Sequence, residues 1–100
     1  MKKETFEMIH AFRKARNWDV YGDLKDLAIS LSLEANEFLE LFQWKTSDEA
    51  SSDTERLAEE LADVIIYAYT LAHQLDFDVD EIVAEKMAKN ALKYPLISDK

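Results

Sequence analysis

Residues 33–44 read LEANEFLELFQW, and the placement of their acids decides how the chain folds. Glu34, Glu37 and Glu40 recur every third residue among Leu, Phe, Ala and Trp. At roughly 100° per residue, setting Glu34 at zero puts Leu27, Phe38, Leu31, Leu24 and Phe42 at about 20° to 80° and Leu41 at about −20°. Glu34 thus falls inside an apolar helical arc, and Glu37, at about −60°, falls on its border between Leu41 and Trp44.

A second stretch, EELADVIIY at 59–67, repeats the design. With Glu60 at zero, Leu71, Val64, Leu57, Leu75 and Ala68 lie at about 20° to 80°, Tyr67 at about −20° and Asp63 at about −60°. Four carboxylates converging from two packed helices repel one another and resist desolvation unless something positive meets them. A solvated acidic edge is the usual reading of one such pair. Its repetition on both long helices favours a cationic partner. Arg56, near −40° on roughly the same face, makes an ion-pair network the main structural alternative, although one guanidinium cannot easily serve four acids. The other candidate is a metal ion. An all-oxygen set without Cys suits a hard cation such as Mg²⁺, with Mn²⁺ as its substitute. A di-iron carboxylate bundle would need two E-x-x-H pairs. The chain offers Glu7 with His10, whereas His73 has no Glu three residues before it.

Punctuation sets the fold class. A single Gly, Gly22, and a single Pro, Pro95, interrupt 100 residues, too few turn formers for a β protein. The expectation is all-α, with helices at about Lys3–Arg16, Asp23–Trp44, Thr54–Leu75 and Val79–Tyr94, the last opened by Asp78 and Glu81 at capping-box spacing and stopped by Pro95. The polar stretch KTSDEASSDTE joins the middle pair, and its Ser or Asp residues can cap the helix that follows. Without repeats, linkers or low-complexity tracts, residues 1–100 read as one domain. The absence of Cys fits a reducing compartment, and no apolar run approaches a membrane span, so a cytoplasmic protein is expected. A net charge of −9 argues against duplex nucleic acid and anionic membranes as partners. A small anion remains admissible where cations neutralise the site.

The last helix supplies such cations. Lys86, Asn90 and Lys93 share a face with Ile82. Lysine stems often cover apolar surface in this way, yet the Asn90 amide can also read a base edge or a sugar hydroxyl. Trp18, Tyr21, Trp44 and Tyr67 lie at the ends or edges of the stripes, where they either pack or together wall a flat pocket for a nucleobase.

Taken in order, E-A-N-E at 34–37 and E-L-A-D at 60–63, separated by 22 residues, resemble the E-x-x-E…E-x-x-D signature of the MazG-like all-α nucleoside triphosphate pyrophosphohydrolases. The blocks FRKARNW (12–18), EFLELFQW (37–44), EELADVIIY (59–67) and KMAKNALKYP (86–95) extend the resemblance over nearly the whole chain, most closely to the compact dCTP pyrophosphatase branch. The connection KTSDEASSDTE is shorter than in the longer animal relatives of that branch.

The resemblance implies a four-helix bundle completed by homo-oligomerisation, as a tetramer built from dimers. It implies Mg²⁺ on Glu34, Glu37, Glu60 and Asp63, with Lys86 toward the phosphates, Asn90 toward the nucleoside and Trp18, Trp44 and Tyr67 around the base. Lys93 continues the substrate face beside Lys86 and Asn90. The implied reaction cleaves a nucleoside triphosphate, of dCTP-like deoxynucleotides, between its α and β phosphates, clearing the pool of unwanted nucleotides. Glu40 or a quartet carboxylate such as Glu37 would take the proton of the attacking water, and Lys86 would steady the pyrophosphate. A non-catalytic nucleotide-binding or dimerisation module would use the same pocket without turnover.

Overall fold

The computed structural model describes residues 2–18 and 23–97. Tyr21 and Gly22, a candidate pocket wall and the glycine break, lie outside the described residues. Among the described residues all regular structure is helical, in the order α1 (Lys3–Ala15), α2 (Leu24–Glu40), α3 (Ser47–Ser51), α4 (Thr54–Gln74) and α5 (Val79–Lys93).

The all-α expectation holds, with one helix more than the four read from the sequence. The extra element, α3, forms inside the stretch taken as a polar connection. Its cause is local: the Thr46 hydroxyl accepts from Glu49 N–H (3.2 Å), while Glu49 Oε1 accepts from Thr46 N–H (3.3 Å). This reciprocal cap satisfies two N–H groups that an opening helix leaves unpaired. Asp53 then caps α4 through Arg56 N–H (3.2 Å), and Asp78 caps α5 through Glu81 N–H (3.0 Å).

Helix ends are equally local. Asn17 and Asp76 take left-handed backbone, φ 58° and 57°, a conformation that Asn and Asp tolerate better than most residues. Beyond them Trp18 N–H reaches the Arg13 carbonyl (2.9 Å) and Phe77 N–H the Ala72 carbonyl (2.9 Å), closing α1 and α4 with Schellman-type bonds. The helix expected to run to Trp44 ends at Glu40 instead, because residues 41–44 tighten into successive turns. Tyr94, at φ −123° and ψ 76°, has left helical geometry before Pro95, whose ring disfavours helix at the residue preceding it.

Packing centres on α4, against which α2 lies along its length and α1 more briefly. Leu27, Ala50, Ala72 and Thr70 are buried, and the Thr70 hydroxyl donates to the Ile66 carbonyl (2.8 Å). Phe6, His10 and His73 form an aromatic contact between α1 and α4, with the two imidazoles 4.8 Å apart at their centroids. The Tyr69 hydroxyl is pushed above its ordinary range by burial first, and then by Asp80 and Asp78, which marks where α5 begins near α4. Beyond that start α5 stands open, with Val79 and Asn90 half-buried and its other residues exposed.

One chain does not close its own bundle. The radius of gyration is 16.8 Å, against about 13 Å for a compact domain of this length. Leu92 is 86% exposed, Leu39 63% and Met87 61%.

A candidate carboxylate metal centre

The angular reading of α2 and α4 placed one acid of each helix in the apolar stripe. Glu34 and Glu60 are half-buried, as is Asp63, while Glu37 and Glu40 are exposed. Glu34, Glu37 and Glu60 each bring a carboxylate oxygen into one cluster whose atoms lie within 4.8 Å of one another. Two carboxylate oxygens of these residues, Glu34 Oε2 and Glu60 Oε2, are buried without a hydrogen-bond partner. A solvated edge would leave neither atom in that state.

The electrostatics follow from this crowding. The Glu34 carboxyl is raised above the ordinary glutamate range, chiefly by burial, then by the adjacent Glu37 carboxyl and the charges of Asp63 and Glu60. A proton is one way to relieve such a cluster, and a divalent cation is the other. Orphaned buried oxygens, an all-carboxylate donor set and an open exposed side suit a hard divalent cation that keeps water and substrate ligands. Asp63 lies close enough to act on Glu34 electrostatically, on the border of the three-residue cluster.

The ion-pair alternative fails on geometry. Among the described residues, Arg56 forms no ion pair with these acids. The di-iron alternative also lacks support, since His10 packs on His73 and Phe6, away from the carboxylates, and Glu7 pairs with Lys3 (3.9 Å).

A cavity of about 380 Å³ opens beside the cluster, lined by Glu37, Glu40 and Glu60 together with Gln43, Lys45 and Arg56. Lys45 and Gln43 were not among the site residues expected from sequence. The signal for them was their position directly after α2, beside Trp44, and only the turn that ends α2 carries them back over the acids. That turn is strained. Trp44 has φ 62°, a conformation costing a bulky residue on the order of 1–3 kcal/mol. No Schellman bond accompanies it: Lys45 N–H donates to the Phe42 carbonyl (3.1 Å). Trp44 itself is 93% exposed.

The other expected site residues stand apart from this cavity. Lys86 and Lys93 are exposed on α5, and Asn90 is half-buried there. Trp18, 46% exposed, follows α1, and Tyr67 is half-buried on α4. One chain therefore assembles the acids, while the other expected contacts, including those of α5, do not line the acid cavity.

A model of the MazG-like family matches residues 29–100. Human dCTP pyrophosphatase 1 (Homo sapiens) is 38% identical over 99 residues, covering 92% of this chain and 58% of the relative. The bovine protein of the same name (Bos taurus) is 37% identical over 100 residues, covering 93% and 59%. The chain thus spans less than two thirds of the length of these curated relatives. A solved pyrophosphatase from Archaeoglobus fulgidus superposes with a TM-score of 0.83 at 40% identity, covering 94% of this chain and 92% of that one.

Proposed function

From the premise that the chain belongs to the MazG-like family, we propose that it is a Mg²⁺-dependent nucleoside triphosphate pyrophosphohydrolase. It acts on dCTP-like deoxynucleotides, cleaving between the α and β phosphates to give a monophosphate and pyrophosphate. The observation that carries this reading is the convergence of Glu34, Glu37 and Glu60 with two buried carboxylate oxygens left unpartnered. The names of its relatives, dCTP pyrophosphatases and a pyrophosphatase, support the same reaction class.

In this proposal Glu34, Glu37, Glu60 and Asp63 hold Mg²⁺, which when bound neutralises phosphate charge and acidifies a bound water. Glu40, exposed at the cavity wall beside Glu37, accepts the proton of the attacking water, with Glu37 as the other acceptor within the cluster. Trp18, Trp44 and Tyr67 wall the base. Lys86, Asn90 and Lys93 bind phosphate and nucleoside from an α5 supplied by a second copy, in a homotetramer built as a dimer of dimers. The open α5 and the exposed Leu92, Leu39 and Met87 support that assembly. The whole of residues 1–100 then works as one domain, and nucleotide-pool cleaning in the cytoplasm is the role that suits the reaction. No helix among the described residues is long and apolar enough to cross a membrane.

Ion-exchange analysis of the products from each dNTP and NTP tests the proposal, with Mg²⁺, with EDTA and with Glu37→Gln. Monophosphate plus pyrophosphate is expected, absent in EDTA and in the variant. Nucleotide binding without turnover would make the chain a sensing module instead.

A further inference from the structure

Lys45 and Arg56 line the same cavity as Glu37, Glu40 and Glu60, yet among the described residues neither is ion-paired with any of those acids. An exposed ion pair contributes little, so the bearing of these two cations on the site lies in the cavity wall they share with the acids, where both are left with donors to spare for an anion. They come from different elements: Lys45 from the turn after α2, Arg56 from the first turn of α4. Arg56 is fixed at its backbone by the Asp53 cap (3.2 Å). Lys45 follows the left-handed Trp44, whose unfavourable backbone redirects the chain as it leaves α2. Backbone strain of this kind persists where the surrounding structure holds it, often at a ligand site.

A metal-bound triphosphate presents more negative charge than one divalent cation cancels. The oxygens farthest from the carboxylate cluster need donors that do not come from the acids. Lysine supplies a compact point charge for such oxygens, and arginine a planar fork that meets two of them at once. Lys86 and Lys93 stand on the open α5, so the cations that this chain itself brings to its acid cavity are Lys45 and Arg56.

Resting on the proposed hydrolase reading, we propose that Lys45 and Arg56 form a binding site for the β and γ phosphates, the part of the substrate that leaves as pyrophosphate. The site makes the enzyme selective for triphosphates over monophosphates. It belongs to the same chain as the metal cluster, so its contribution does not depend on which copy supplies α5.

Isothermal titration of inorganic pyrophosphate and of dCMP, each with Mg²⁺, into wild type, Lys45→Gln, Arg56→Gln and Arg56→Lys tests the assignment. Each Gln variant is expected to weaken pyrophosphate binding by roughly tenfold or more, the usual effect of losing a charge-assisted contact. Binding of dCMP should stay within about twofold, and Arg56→Lys should fall between wild type and Arg56→Gln. Both positions are exposed, and far-UV circular dichroism checks that each variant is folded. Pyrophosphate binding unchanged in both Gln variants, or pyrophosphate and dCMP binding weakened in parallel, would overturn the phosphate site while leaving hydrolysis by the wild type intact. A wild type that hydrolyses no nucleoside triphosphate would remove the hydrolase reading and this assignment together.

Discussion

Glu34 carries the tension of the site in a single side chain. Its carboxyl is held above the ordinary range by burial and by its acidic neighbours, so the folded state keeps this proton more tightly than the unfolded chain does. Stability from this group is therefore present below the ordinary glutamate range and is lost as pH rises through the raised folded value. In EDTA, the melting temperature should fall as pH increases from about 4 toward neutrality, once other carboxylates are accounted for by comparison with Glu34→Gln. That variant should melt higher than wild type at neutral pH and show a flatter profile. Added Mg²⁺ should raise the wild-type melting temperature and leave the variant less responsive, because an ion that binds only the folded form stabilises it by mass action. Superimposable pH profiles for wild type and variant would show that Glu34 is not under this strain.

At the scale of the element, the turn that ends α2 is the feature to perturb. Trp44 combines φ 62° with 93% exposure, so Trp44→Gly removes an unfavourable backbone conformation and little packing within the chain. The variant should be as stable as wild type or more stable by about 1 kcal/mol, measured by urea unfolding, while its KM for the preferred nucleotide rises. A large loss of stability with KM unchanged would instead make Trp44 a packing residue. This turn also shows where sequence reading stops. The apolar period of α2, the caps at Asp53 and Asp78 and the stop at Pro95 were legible because each depends on residues within one or two turns. The capping box that builds α3 was legible in principle, since Thr46 and Glu49 carry its spacing, but the polar composition of the segment masked it. Nothing in the composition of Gln43, Trp44 and Lys45 announces a left-handed residue, because Trp is among the least suited to it.

For the whole molecule, the open α5 is the controlling fact. A charge placed on its apolar surface should cost little in an isolated chain and much where another copy covers it. Leu92→Glu and Met87→Glu are accordingly expected to reduce the mass seen by sedimentation velocity and to lower turnover together. Wild-type mass and activity in both variants would remove α5 from the assembly. The positions of Lys86, Asn90 and Lys93 give this test its functional meaning, since these expected substrate contacts do not line the acid cavity of their own chain.

By itself the sequence determined the helical class, most helix boundaries and the pairing of acids on α2 and α4. Helical periodicity and capping are short-range, and a 3.6-residue repeat assigns each side chain an angle without reference to anything else. Only the tertiary structure decided that Glu34, Glu37 and Glu60 meet in space, that two of their oxygens have no partner, and that Lys45 and Arg56 face the same cavity unpaired. Those facts depend on how α2 lies against α4 and on one strained turn. An angle on a helix says which way a residue points, and packing alone says what it meets.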